Sequence, residues 1–268
     1  MKVFEDASTD SQILILNKQK AVAPFSYCPI KSIQKFTDNQ YNKIKVSLKE
    51  LDDDIWIFNN IIDKKILNKI SLEAISLNEY TKEGVYRGIT TGRNEAFIID
   101  ALTRKQLIRE DKKCENFIKH YINSIDIYSW HIKNKGENFL LHIPWDFEIE
   151  KYPSIKRHLE HFKKALSKRP EVIEGRYKWF AMSRYASDYH QLFSLPKIIY
   201  IHTAVKHQFY FDKSGLFINN SCYLISNSDK FLTVWLNSSV FKFYKKLNFV
   251  AYGDSSGKGR VKLDYNKI

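Results

Sequence analysis

Residues Gly84–Phe97 read GVYRGITTGRNEAF, and the fold class of the chain turns on what this stretch is. A phosphate-binding P-loop needs two glycines separated by four residues and then Lys-Ser or Lys-Thr, so that backbone N–H groups surround the phosphates. Gly88 and Gly92 are separated by three residues, and Arg93 and Asn94 follow. No GxGxxG occurs, and no apolar strand runs directly into a helix start, so the dinucleotide fingerprint fails as well. What remains is a structural turn built on Gly88, Gly92 and Asn94. Gly92 and Asn94 tolerate positive φ, and Ala96–Ile99 is expected to be the strand that leaves the turn.

Outward from this turn, AFIID, DIYSW and FLLHI alternate short apolar runs with polar breaks, which predicts a strand-rich unit. YPSIKRHLEHFKKALSKRPEV gives the clearest helix. Pro153 suits its first turn, Ile155, Leu159, Phe162 and Leu166 share a face, and Pro170 is expected to end it. Four runs follow, PKIIYIHT, HQFYFD, GLFIN and CYLIS, separated by turn residues, and predict an antiparallel meander. SDKFLTVWLNSSVFKFYKKLN predicts a second prominent helix, capped by Ser228 and carrying Lys245 and Lys246 in its last turn. The Gly/Ser-rich tail is expected to stop without a closing element. Upstream, apolar spacing over Asp63–Tyr80 predicts one or two short helices, Asp52–Asp54 a solvated loop or cap, and Ile13–Leu16 a buried strand. The expected class is α+β.

A chain of 268 residues that is 44% hydrophobic and 15% aromatic can bury its core without metals or disulfides. Cys28, Cys114 and Cys222 are odd in number and lack CxxC pairing, so reduced thiols and a cytoplasmic location are expected. No apolar run approaches the ~18 residues of a membrane span, and MKVFEDASTD lacks the pattern of a signal peptide, so no membrane partner is expected. The net charge is +13, concentrated in two places: residues 150–210 hold twelve basic and five acidic side chains, and 241–268 hold seven and two. The remainder is almost neutral. A coding bias toward lysine would spread the excess, so this clustering points to a polyanionic partner.

Catalytic motifs are scarce. The prolines never stand side by side, which excludes the Asn/Asp-Pro-Pro-aromatic loop of DNA amino-methyltransferases, and neither a glycine-rich S-adenosylmethionine loop nor GxSxG occurs. His158 and His161 have helical spacing but no third ligand to complete a metal site, so no metal is expected. Asp100 followed by Asp111-Lys112-Lys113 fits a Mg²⁺ nuclease pattern, with Lys113 polarising the phosphate; Asp63-Lys64-Lys65 behind Asp52–Asp54 fits as well.

Taken in order, YRGITTGRNEAFIID, LIREDKKCENFIKHYINSIDIYSW, YPSIKRHLEHFKKALSKR, KWFA, PKIIY, LNSS and GDSSGKGRVKL resemble the TaqI-like C-terminal specificity domain. That domain is the target-recognition module of N6-adenine DNA methyltransferases and type IIG restriction-modification enzymes. The resemblance covers about residues 55–268. FEDASTDSQILILNK is similar to the last strands of the methyltransferase domain that precedes the module in such enzymes. Residues 1–20 are therefore expected to be a remnant of that domain and 21–54 a linker. The chain departs from the family after Arg169, where Pro-Glu-Val-Ile-Glu-Gly stands in place of Asp and Gly.

The resemblance implies a sequence-specific reader of double-stranded DNA. It would work beside a methyltransferase catalytic domain or subunit, where S-adenosylmethionine would bind, with no cofactor in this chain. Arg can pair with guanine bidentately, whereas Lys mostly holds phosphates. The candidates for DNA contact are Lys156, Arg157, Lys163, Arg169, Arg176, Lys178, Arg184, Lys206, His207, Lys258 and Arg260. Two rival readings are a Mg²⁺ nuclease using Asp100, Asp111 and Lys113, and a docking subunit for a separate methyltransferase that pairs through Ile13–Leu16.

Overall fold

A computed structural model describes residues 18, 24–28, 43–51, 56, 58–82, 84–249, 251–252 and 259–268. The strand expected at Ile13–Leu16 and the acidic Asp52–Asp54 lie outside them. In chain order the elements begin with β1 (Phe25–Tyr27), β2 (Ile44–Val46), α1 (Ile61–Leu72), α2 (Leu77–Thr81), β3 (Val85–Arg87) and α3 (Asn94–Phe97). Next come β4 (Ile98–Asp100), α4 (Ala101–Glu110), β5 (Ile118–Ile122), β6 (Asn138–Leu141), α5 (Pro153–Glu160), α6 (Lys163–Leu166) and α7 (Pro170–Ile173). The last are β7 (Lys197–Ile201), β8 (Thr203–Ala204), β9 (Phe209–Asp212), β10 (Phe217–Ile218), β11 (Cys222–Ile225), α8 (Lys230–Asn237), α9 (Ser239–Asn248), β12 (Ala251–Tyr252) and β13 (Arg260–Lys262).

The fold is α+β, and the chain forms two compact units. One comprises Leu77–His202 and His207–Ser238; the other comprises Met1–Ser76, Thr203–Lys206 and Ser239–Ile268. The first unit holds two four-stranded sheets, ordered β10-β5-β6-β4 and β3-β11-β7-β9. All pairings in them are antiparallel except β10 with β5. β7 reads KIIYI, and four of its five residues are buried, as a central strand requires when both of its faces are covered.

Within the expected meander, β7, β9 and β11 do pair antiparallel, but GLFIN crosses to the other sheet and pairs parallel with β5. The cause is Asp212. One of its carboxylate oxygens accepts from the N–H and Oγ of Ser214, the other accepts from the N–H of Leu216, and Gly215 turns the chain at φ +75°. This Asx-type turn diverts the chain where a hairpin would have returned it.

Other expectations shift locally. Ala96 and Phe97 end the one-turn helix α3, and the strand starts only at Ile98. Asn94 does not adopt positive φ; it opens α3, and its Oδ1 accepts from Thr91 Oγ1 at 2.6 Å. The helix from Pro153 keeps its apolar face, with Ile155, Leu159 and Leu166 fully buried. It tightens at Phe162, whose N–H donates to Leu159 O, and this i→i+3 bond separates α5 from α6. Pro170 starts a further turn, α7, at the site of the family departure. The helix expected over 228–248 is two helices broken at the extended Ser238. Asp229 caps it through Leu232 N–H, while Ser228 Oγ serves the sheet by accepting from Ile198 N–H. Asn237 explains why the LNSS stretch is placed here: its side chain both accepts from and donates to the Phe209 backbone at the start of β9.

The second unit pairs β1 with β2 and builds the sheet β12-β13-β8. The tail therefore does not end open, because Arg260–Lys262 pairs on both sides.

Two histidines give the first unit a pH response. Burial holds His142 and His158 below the ordinary imidazole range; His190 and Lys119 add to this at His142 and His161 adds at His158, while the bonds to Tyr185 O and Ala96 O oppose it. A lowered folded value means that stability is full above the unfolded value of about 6.5 and is lost as pH falls through the folded one. Urea melts at successively lower pH should show a decline of at most ~1.4 kcal/mol per pH unit per histidine. His142→Gln should reduce the slope.

Candidate nucleic-acid interface

Gly88 and Gly92 of the Gly84–Phe97 stretch are used in different ways. Gly88 has no positive φ, yet a Cβ there would lie 2.0 Å from Asn219 O. Gly92 has φ +79°, and its Cβ would meet Ser183 Oγ at 2.1 Å and an Arg169 guanidinium nitrogen at 2.9 Å. Thr90 and Arg184 form an antiparallel bridge beside it. The turn therefore anchors the segment 174–185.

Arg169 is the second anchor. It is only 8% exposed, and its guanidinium donates to Leu166 O (3.0 Å), Trp179 O (2.6 Å) and Thr91 O (3.5 Å), with Tyr177 beneath it at 5.1 Å. Burial lowers its pKa, with Tyr177 and Glu171 opposing, but a guanidinium stays charged in proteins. Expected from sequence to touch DNA, Arg169 is instead buried against three backbone carbonyls, one of them at the end of α6. His207 is a similar correction: it is 6% exposed and Nε2 donates to His202 O at 3.2 Å.

Around these anchors the aromatic side chains interlock. Trp145 stacks on Tyr177 at 5.2 Å and donates Nε1–H to Met182 O at 2.8 Å, and the Tyr177 hydroxyl bonds Ser183 Oγ at 3.0 Å. The segment is thus fixed from within, while its Arg176, Lys178 and Arg184 are exposed. Lys163 joins them from α6, its Nζ 5.2 Å from the Trp179 ring centre, and Lys178 lies over Phe180 at 5.7 Å. Arg176 pairs with Glu174 at 2.8 Å, but both are well exposed, and such a pair contributes ~1 kcal/mol or less.

The remaining candidates are dispersed. On α5, Lys156 is bonded to Glu150 and Arg157 to Glu110, each through exposed or half-exposed carboxylates. Lys206 and Arg260 are exposed in the other compact unit. Lys258 lies outside the described residues. Charge counting does not register the aromatic frame of Trp145, Tyr177 and Trp179; the KWFA run and the density of aromatics in 177–189 were the available signal.

The nuclease arrangement is not assembled. Asp100 caps the start of α4 by accepting from Thr103 N–H, and Asp111 stands at its far end, accepting from Lys113 N–H. Ten helical residues separate them, ~15 Å along the axis, too far to share one Mg²⁺. Among the described residues no cluster of three metal-ligating side chains occurs, and no helix is long and apolar enough to cross a membrane.

No family model matches the sequence. Among solved structures, the chain is similar to the type IIL restriction-modification enzyme MmeI, determined in complex with DNA, with TM-score 0.51 and 12% identity. The alignment covers 92% of this chain and 30% of that one, so the chain shares the fold of one part of a larger restriction-modification enzyme.

Proposed function

We propose that the chain is a DNA target-recognition module of a restriction-modification system, serving an adenine-N6 methyltransferase or a type IIG enzyme whose catalytic part and S-adenosylmethionine site lie elsewhere. The observation that carries this reading is the internally locked segment 174–185, which leaves Arg176, Lys178 and Arg184 exposed and has Lys163 over its Trp179 ring. A reader gains from a main chain that is fixed before DNA arrives, because ordering a loop on binding subtracts from affinity. The likeness in fold to part of MmeI supports the same reading.

The test is selection from random duplexes by the purified chain at moderate and then higher salt, where phosphate-only binding fades. A short enriched motif that persists is the expected result; loss of all binding without a motif would reject sequence reading by this chain. Arg184→Ala or Arg176→Ala should cost about 1–3 kcal/mol and relax one position of the motif. Lys163→Gln with Lys178→Gln should weaken all sequences alike and lower the log–log salt slope by about 2, close to one for each phosphate no longer neutralised.

A further inference from the structure

Between β5 and β6 the chain forms a tight hairpin whose tip is Tyr128-Ser129-Trp130-His131. Tyr128 N–H donates to His131 O at 3.1 Å, Ile127 bridges Ile132, and Lys133 N–H donates to Asp126 O at 2.9 Å. The Tyr128 and His131 rings stack across the turn, 4.7 Å apart and within 7° of parallel. At its base, Ile127 sits in the core with Ile132 packed against it. The buried Asp126 accepts from Asn134 Nδ2 at 3.0 Å, holding Asn134 at φ +54°. The hairpin is therefore rigid, and yet Trp130 is 64% exposed and Ile125 79%. Lys133 and Lys135 are exposed beside them, against one exposed carboxylate, Glu137.

We infer that this tip is an aromatic wedge that inserts Trp130 into the base stack of bound DNA. The inference rests on the DNA-binding reading above. A preformed turn loses little conformational freedom on insertion, an indole has the flat apolar face that a parted base step accepts, and the two lysines meet the flanking phosphates. The hairpin leaves one end of β6, while Met182 N–H fastens the basic segment to Ile143 just beyond the other end. The four residues of β6 span roughly 13 Å, less than half of a duplex turn of about 34 Å. The hairpin and the basic segment are thus both attached beyond the ends of one short strand.

The experiment compares binding of the full chain to a labelled duplex of mixed sequence, either intact or carrying one unpaired base that already opens the stack. The wild type should bind the interrupted duplex more tightly, by about tenfold to a hundredfold, the range of one base–aromatic stack. Trp130→Ala should bind both duplexes equally, and Trp130→Phe should keep most of the preference. Because Trp130 is exposed, the melting temperature should stay unchanged. A wild type without the preference, or a preference that survives Trp130→Ala, overturns the wedge while leaving DNA binding intact. The second result would assign the preference to another element of the chain. Failure to bind either duplex overturns the DNA reading together with the wedge.

Discussion

Replacing Lys197 with methionine should destabilise the chain by about 3–5 kcal/mol, the cost of leaving a buried charge without its partner. Lys197 and Asp212 face each other across β7 and β9, both completely buried, with Nζ and Oδ2 2.6 Å apart. Nζ also donates to Phe193 O, so one ammonium joins the turn before β7 to the end of β9. Burial alone would raise the Asp212 pKa, but Lys197 and the Ser214 donors outweigh it and hold the carboxyl below its ordinary range. A depressed folded value means that this contribution is full above the unfolded value of about 3.9 and is lost as pH falls through the folded one. In Lys197→Met the same burial acts unopposed by the ammonium, so Asp212 takes up a proton at higher pH and the gap from wild type should narrow in acid. Urea melts of Lys197→Met, Asp212→Asn and the double variant would measure this. The double variant should lose less than the two singles added together, since asparagine removes the orphaned charge while still accepting from Ser214. Strict additivity would mean that the pair contributes nothing as a pair.

Asp212 also shows where periodicity stops informing. The apolar runs of β7, β9 and β11 are visible in the sequence because a two-residue repeat and turn residues identify half-buried and buried strands. Which sheet GLFIN joins depends on a carboxylate that binds Ser214 and Leu216 backbone groups, and FDKSGLF reads equally well as an ordinary hairpin turn. The helix from Pro153 was legible in its apolar face, whereas the change to i→i+3 bonding at Phe162 has no Pro or Gly to announce it. The site was legible only in part, because charge counting treats every cation alike. Arg176, Lys178 and Arg184 are exposed, but Arg169, from the same basic stretch, is consumed by three carbonyls. Its neighbours gave a hint: Leu166 and Val172 flank it at helical spacing, the setting of an inward-facing residue.

Gly88→Ala is expected to cost on the order of 3 kcal/mol, at the upper end of overpacking penalties, and the loss should be steric alone. Gly88 stands where the chain passes between the two sheets: its N–H donates to Cys222 O at 2.9 Å, and the next N–H, of Ile89, donates to Ile218 O at 2.8 Å. A Cβ would lie 2.0 Å from Asn219 O and 2.6 Å from Ile218 O, all backbone atoms that no rotamer change can move. Relief requires the strand crossing to open, which breaks one or both of those bonds. Gly136→Ala supplies the contrast, because Gly136 has φ +90° and open space around its missing Cβ, so only the backbone penalty of about 1–2 kcal/mol applies. If urea melts rank Gly136→Ala as the more damaging, the close approach at Gly88 is wrong. The Gly88–Gly92 turn thus acts through the space it leaves for a neighbouring main chain.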